Sequence, residues 1–186
     1  MPMPRLTLPV LAGLNGLFAC AVIEYELHHL HDENSLLENA QALILGAGTA
    51  WFALTPRHDP ARDLVYRSLA VLCFSFFLRE VDVERLAIPD ILRTLGSGSG
   101  RLLVLLLLWS AVMVGLWRFC RHAGPVPLWH ASRPAAMAGV FVLFVVSLAM
   151  DKNWLSAQLP RLWEELAETN AYLLLVAGHL ARVTRA

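Results

Sequence analysis

The sequence predicts an all-α fold, a polytopic transmembrane bundle of six helices with both termini on the cytoplasmic side. Three observations support this prediction. Of the 186 residues 57% are hydrophobic, and the mean hydropathy is +0.54, well above the values usual for water-soluble proteins. The apolar residues form blocks close to the roughly 20 residues that a bilayer-spanning helix needs, and they do not form amphipathic stripes. Basic residues are more frequent at one set of block ends than at the other.

Each apolar block is bounded by residues that begin or end helices. Asn34 or Ser35 is a suitable N-cap for the second span, and Pro56 ends it. Residues 88–100, with Pro89 and G-S-G-S-G, are predicted to form a flexible loop before the fourth span, with one amphipathic turn around Ile91 and Leu92 at the membrane interface. Pro160 suits the first turn of the sixth. We expect a single transmembrane domain, residues 1–186, with spans at about residues 6–27, 36–55, 64–80, 101–118, 135–150 and 162–180.

The charges differ between the two faces of this predicted bundle. The face with the termini holds nine arginines and only two acids, whereas the opposite face holds six basic residues and the other thirteen acids. Because basic residues near span ends stay in the cytoplasm, the terminal face is predicted to be cytoplasmic and the acidic face periplasmic. The predicted location is therefore the bacterial inner (plasma) membrane, with a multi-pass topology.

Several classes of function are disfavoured by composition and motifs. A formal net charge of zero gives no global field for binding nucleic acid. Cys20, Cys73 and Cys120 stand singly, which is typical of packing residues and not of a disulfide or zinc framework. The histidines fall at opposite ends of the spans, whereas a haem held between helices needs two at matching depth, so haem is disfavoured. No nucleophile elbow, phosphate loop or H-E-x-x-H motif occurs.

Acidic and histidine side chains are concentrated at the predicted periplasmic ends of the spans, above all in residues 24–41. Glu24 and His28 lie one helical turn apart, as do Glu164 and Glu168, so each pair can point the same way from its helix. Carboxylate and imidazole groups so placed suit a divalent metal ion, and zinc, magnesium, manganese, calcium or iron all remain open. The predicted metal ligands are Glu24, His28, His31, Asp151 and Glu164.

Glu38, Glu80 and Glu168 are placed inside apolar helices, where an ionised group costs several kcal/mol unless it is paired, neutral or facing a cavity. With Arg79, they are the predicted catalytic residues. Crowded acids raise each other's pKa, so one of them could donate a proton, or a bound cation could hold all of them ionised. The alternative is structural: Arg79 or Lys152 pairs with these acids and locks the bundle.

Two resemblances accompany this interpretation. The R-E-V-D of residues 79–82, at the end of a span, resembles an Arg-Glu-x-Asp pattern in some uncharacterised bacterial inner-membrane proteins, which implies no activity. The gathering of acids and histidines at one membrane face is loosely similar to the ceramidase-like membrane hydrolases, which split lipid amides with zinc. Those proteins have seven spans and a His-x-x-x-His pair, whereas this chain has six predicted spans and lacks that pair.

The sequence therefore predicts an integral inner-membrane protein with an acidic and histidine-containing site that faces the periplasm. One hypothesis is a metal-dependent hydrolase or transferase acting on a lipid or lipid-linked substrate, in which Arg79 or Lys152 would hold a phosphate or an oxyanion. The other is a non-enzymatic membrane subunit, or a transporter that handles protons or cations with the same carboxylates. Expected partners are membrane lipids and a membrane protein or a second copy of the chain, with no nucleic acid.

Overall fold

The computed structural model describes residues 36–81, 83, 89–152, 154 and 160–180. In these ranges all regular secondary structure is helical, which confirms the predicted all-α class, while the first predicted span, residues 6–27, lies outside them. The helices are α1 (Leu36–Leu54), α2 (Pro60–Glu80), α3 (Asp90–Gly96), α4 (Gly98–Ala123), α5 (Val126–Ala131), α6 (Pro134–Asp151) and α7 (Pro160–Leu180).

Local sequence explains where two of the long helices begin and end. The Asp59 carboxylate accepts a hydrogen bond from the backbone N–H of Ala61 at 3.0 Å, and Pro60 occupies the first turn of α2, where no N–H is needed. Helix α4 ends at Gly124, whose φ of 73° is a left-handed conformation that favours glycine. The Gly124 N–H donates to the Cys120 carbonyl and so closes the last turn.

The glycine-rich segment predicted to be a flexible loop is helical at both ends. Residues Asp90–Gly96 form α3, and only Ser97 is extended before α4 begins at Gly98. The glycines serve close packing, because a Cβ atom on Gly100 would lie 1.8 Å from the Thr94 carbonyl oxygen and one on Gly96 would lie 2.7 Å from Val83. Repeated Gly and Ser indicate flexibility in a sequence. Here α3 and α4 follow each other closely, and small residues are needed where they pack.

The chain divides into two compact units, and the boundary lies within α1. Unit 1 comprises residues 1–40 and 135–186, and unit 2 comprises residues 41–134. In unit 2, α1, α2 and α4 run antiparallel in succession. Phe52 packs edge-on against Tyr66, with ring centroids 5.3 Å apart, and the Phe77 ring lies against Gly46. Later residues of α2 thus meet earlier residues of α1.

Helix α4 packs along α2 in the same antiparallel manner. The Trp109 indole N–H donates to the Ser75 hydroxyl at 3.1 Å, and Arg101 donates to the Leu78 carbonyl at 3.0 Å. At the other end, Leu64 approaches Gly115, where a Cβ atom would lie 3.0 Å from it. The start of α2 and the last turns of α4 therefore share one end of unit 2, and the short helix α5 packs against α2.

In unit 1, α6 and α7 form an antiparallel helical hairpin. Ser147 meets Glu168, the Phe144 and Tyr172 rings lie 5.7 Å apart, and Gly139 faces Leu174. Residues nearer the start of α6 therefore contact residues nearer the end of α7. The core of the hairpin is built on side chains of α7 with no exposed surface, namely Leu162, Ala171, Tyr172 and Leu175.

Two of the described helices, α4 and α6, are long and apolar enough to cross a membrane. Their apolar side chains are largely uncovered, because only 6% of the most apolar stretch of α4 and 11% of that of α6 is buried. Helices α1, α2 and α7 do not meet the same test of length and composition among the described residues. Helix α7, for example, carries Glu164, Glu165 and Glu168 in its first half. The predicted six-span bundle is thus supported at two of its spans.

Candidate functional site

Charged side chains collect where α6 ends and α7 begins. The Lys152 Nζ atom lies 2.6 Å from a carboxylate oxygen of Asp151, and both side chains are about half exposed. The hydrogen bond and negative charge of Asp151 raise the pKa of Lys152 above its usual value, and the charge of Glu164 adds to this. The end of α6 and the first turns of α7 therefore share one electrostatic environment.

The first turn of α1 reaches the same end of unit 1. The guanidinium of Arg161 lies 3.7 Å from the Glu38 carboxylate, and the two side chains are 43% and 21% exposed. Glu38 also lies in the first turn of α1, where the positive end of the helix dipole favours an acid. Because this ion pair is half solvated, its contribution to stability is modest, about 0–1 kcal/mol. The pair of Glu38 with Arg161 shows that the first turns of α1 and α7 lie side by side.

Glu168 lies deeper in the α6–α7 hairpin. Its residue is 8% exposed, and a carboxylate oxygen accepts a hydrogen bond from the Ser147 hydroxyl at 3.0 Å. Ser68 and Thr49, in contrast, donate their hydroxyls to the carbonyl four residues earlier in their own helices. Ser147 instead reaches a carboxylate on another helix, and apart from the terminal Asp151 it is the one polar residue of α6. The pairing with Glu168 is thus specific to this position.

Glu165 was not singled out from the sequence, yet it is as buried as Glu168. The two residues are three positions apart and share one side of α7. The sequence places Glu164 one turn before Glu168, but in the structure Glu164 is only partly buried. Glu164, Glu165 and Glu168 lie within five residues, so the sequence is compatible with burial of different sides of the helix. The position of α6 decides which of these acids is buried.

Arg79 and Glu80 belong to unit 2, at the end of α2. The Arg79 guanidinium lies 2.9 Å from the Glu80 carboxylate, whose side chain is 7% exposed. Arg101 donates to the Leu78 carbonyl at the same helix end, where a cation interacts favourably with the helix dipole. The neighbouring pair Arg79–Glu80 stays within one helix, so in these contacts it does not connect α2 to another span.

The predicted site residues thus fall into three groups. Unit 1 brings Glu38, Asp151, Glu164 and Glu168 to the half of its helices where α1 and α7 begin and α6 ends. Arg79 and Glu80 lie in unit 2. Glu24, His28 and His31 lie outside the described residues. Within the described ranges, no group of three or more His, Cys, Asp or Glu side chains is arranged to hold a metal ion.

Besides Glu165, three polar residues that are not among the predicted site residues are buried, namely Gln41, Ser147 and His179. Ser147 is the donor to Glu168, and His179 near the end of α7 is 1% exposed. The His179 Nδ1 atom lies 2.8 Å from the Leu175 carbonyl, so in the tautomer with a proton on Nδ1 it donates there. A lone serine in an apolar helix is the signal that could have identified Ser147.

No protein-family model, no curated protein and no solved structure matches the chain.

Proposed function

We propose that this chain is a multi-pass integral protein of the bacterial inner membrane, and that its acid-rich site faces the periplasm. The six spans are the predicted first span and helices α1, α2, α4, α6 and α7. Both termini are then cytoplasmic. The observation that carries the proposal is the uncovered apolar surface of α4 and α6.

This surface fits lipid much better than water. Leu103, Leu107, Phe141 and Val142 are each more than half exposed on these two helices. Removing one such side chain from water is worth about 1.5–3 kcal/mol, so two helices of this kind favour a hydrocarbon environment strongly. The long apolar core helix of a soluble protein passes the same length test, but it is covered by its own fold.

The direction of the spans follows from the basic residues. Arg118 and Arg121 end α4, and Arg133 precedes α6, so the segment between these helices is the more basic side. The positive-inside rule assigns that segment to the cytoplasm. Lys152 and Asp151, at the opposite end of α6, are then periplasmic.

Within this membrane protein, we favour a non-enzymatic role for the carboxylate site, as a membrane subunit or as a carrier of protons or cations. Each described acid among the predicted catalytic residues already contacts a cation or hydroxyl of the same chain: Glu38 contacts Arg161, Glu80 contacts Arg79 and Glu168 contacts Ser147. A metal ion ligated by Glu38 or Glu168 would have to compete with these contacts. A proton needs only one carboxylate oxygen, whereas a divalent metal ion needs about four or more ligands, so proton uptake disturbs fewer of these contacts.

The second candidate is a metal-dependent hydrolase or transferase that acts on a lipid or lipid-linked substrate. Lys152 favours it, because this cation lies at the end of the lipid-exposed helix α6, beside Asp151 and Glu164. A lipid phosphate or a developing oxyanion would find its charge partner there. In this case Glu38 and Glu168 supply ligands or acid–base groups.

The topology can be tested with two groups of the natural chain. Lys152 is the single lysine of the sequence, and Cys120 is exposed in the last turns of α4. In spheroplasts, a membrane-impermeant amine reagent should acylate Lys152, whereas a membrane-impermeant maleimide should reach Cys120 only in inverted vesicles. Peptide mass spectrometry reads both reactions. Labelling of both groups from the same side would contradict the proposed topology.

The two candidate roles of the site can be distinguished by the metal content of the purified protein and by the effects of replacing Glu38 and Glu168. Purified protein with one tightly bound divalent ion per chain, lost in Glu38→Gln and Glu168→Gln but kept in the surface control Asp90→Asn, would establish the enzyme candidate. Asp90 is a suitable control because its carboxylate is 94% exposed. Protein without a stoichiometric ion, whose Glu38→Gln and Glu168→Gln variants lose proton or cation uptake in proteoliposomes, would establish the carrier.

A further inference from the structure

The last turns of α4 and the short helix α5 form a surface, residues 117–130, that combines exposed tryptophans with unneutralised cations. Trp117 on α4 and Trp129 on α5 are each about 60% exposed, and Val126 at the start of α5 is similarly exposed. The guanidinium of Arg121 lies 5.0 Å above the Trp117 ring. We propose that this surface binds the anionic headgroups of phospholipids, and this inference rests on the proposed membrane location.

The arginines of this surface stand one turn apart on α4. Arg118 and Arg121 are three residues apart, so they project from the same side of the helix, and both are exposed. His122 and His130 extend the basic character. Residues 91–150 contain no aspartate or glutamate, and among the residues that the structure describes no carboxylate pairs with Arg118 or Arg121.

Other arginines at the same end of unit 2 are neutralised by this chain. On α2, Arg62 lies 3.4 Å from Asp59 and Arg67 lies 2.8 Å from Asp63. The start of α2 and the end of α4 are neighbours through the contact of Leu64 with Gly115. This end of the unit thus carries five arginines against two aspartates: Arg57, Arg62, Arg67, Arg118 and Arg121 against Asp59 and Asp63. Of the three arginines without an aspartate partner, Arg57 lies over the Tyr66 ring, and Arg118 and Arg121 are exposed on α4.

The arginine and tryptophan side chains of this surface suit an anionic phospholipid. A guanidinium donates two parallel hydrogen bonds to a phosphate, which makes arginine suited to phosphodiesters. Tryptophan prefers the boundary between hydrocarbon and headgroups, where its ring is covered and its N–H is solvated. An acidic soluble protein would satisfy the charges but would leave Val126 and the two indole rings without an apolar partner. A lipid that carries a net negative phosphate supplies both a negative charge for the arginines and an apolar partner for Val126 and the indole rings.

The test uses the full chain in detergent micelles and native mass spectrometry with phosphatidylglycerol and phosphatidylcholine. We expect the natural chain to retain phosphatidylglycerol preferentially. An arginine near an anionic lipid surface is worth roughly a fivefold change in affinity, so the double variant Arg118→Gln/Arg121→Gln should bind phosphatidylglycerol roughly 30-fold more weakly. The matched control Arg62→Gln/Arg67→Gln removes the same number of arginines from the same end and should retain the preference.

Three outcomes would overturn the inference: equal retention of both lipids by the natural chain, an equal loss in the control variant, or displacement of phosphatidylglycerol by an equal concentration of inorganic phosphate. None of these affects the labelling of Lys152 and Cys120 across the membrane. A chain with the expected topology but without lipid preference would disprove this surface alone. A chain that labels on one side only would disprove the membrane topology itself.

Discussion

The hydroxyl of Ser147 donates a hydrogen bond of 3.0 Å to the carboxylate of Glu168, and this contact joins α6 to α7. In α1 and α2, by contrast, the hydroxyls of Thr49, Ser68 and Ser75 each donate to the carbonyl four residues earlier in the same helix. Ser147 is 3% exposed and Glu168 is 8% exposed, so solvent does not readily replace either partner of this bond. The hairpin of unit 1 is therefore aligned by a polar pair as well as by packing.

Removing this donor should loosen the hairpin. Ser147→Ala should lower the free energy of unfolding by about 1–2 kcal/mol, since a buried carboxylate loses a hydrogen bond across the helix interface. Thermal unfolding in detergent measures the change. Ser68→Ala is the matched control, because the Ser68 hydroxyl bonds only the Leu64 carbonyl of its own helix, and it should cost less than about 0.5 kcal/mol. Equal effects of the two variants would contradict the importance of the interhelical bond.

The reactivity of Lys152 should depend on Asp151. The pKa of Lys152 is raised first by the hydrogen bond and charge of Asp151, so Asp151→Asn should lower it and increase the rate of acylation by an amine reagent near pH 9. Glu164→Gln should have a smaller effect in the same direction. Because the chain has a single lysine, mass spectrometry of one peptide follows the reaction. A rate that is unchanged in Asp151→Asn would refute the assigned cause.

The same raised pKa gives a pH dependence with a defined sign. Below about pH 10.5, the ordinary pKa of lysine, Lys152 is protonated in both the folded and the unfolded chain, and its pair with Asp151 contributes fully. That contribution is lost as the pH rises through the higher pKa of the folded chain. Unfolding scans between pH 9 and about pH 11.5 should therefore show a slightly steeper loss of stability for the natural chain than for Lys152→Gln.

Glu38 and Arg161 should be weakly coupled. A double-mutant cycle with Glu38→Gln and Arg161→Gln should give an interaction free energy of about 0.2–1 kcal/mol, because both side chains are partly solvated and 3.7 Å apart. High salt should reduce it. The exposed pair Asp59–Arg62, within one helix, serves as the reference. A coupling well above 2 kcal/mol would mean that the pair is much more shielded from solvent than its exposure indicates.

Gly139 should be hard to replace. A Cβ atom there would lie 2.8 Å from the Leu174 side chain, so Gly139→Val should destabilise the hairpin by about 1–3 kcal/mol through overpacking. Combining Gly139→Ala with Leu174→Ala should be less harmful than the sum of the two single changes, since the smaller residue at 174 makes room. Additive losses in thermal unfolding would show that the two positions do not meet.

Much of the fold, but little of the site, could be predicted. The helices α1, α2, α4, α6 and α7 follow from continuous apolar blocks, and Pro60, Gly124 and Pro160 mark helix ends that local chemistry enforces. Of the two short helices, the sequence predicts one turn of α3, around Ile91 and Leu92, and does not predict α5, because helices of six or seven residues carry too little periodicity to be distinguished from loops. The predicted metal site involving Glu24, His28 and His31 stays a prediction.

The sequence by itself determined that this protein is helical and apolar and where its charges concentrate, because block hydrophobicity and helix-ending residues act locally. Only the tertiary structure decided which acids turn inward. Glu164, Glu165 and Glu168 all lie within two turns of α7, and their burial depends on where α6 packs. The same packing gave Ser147 its partner, through an antiparallel register set by side-chain contacts that no single helix contains.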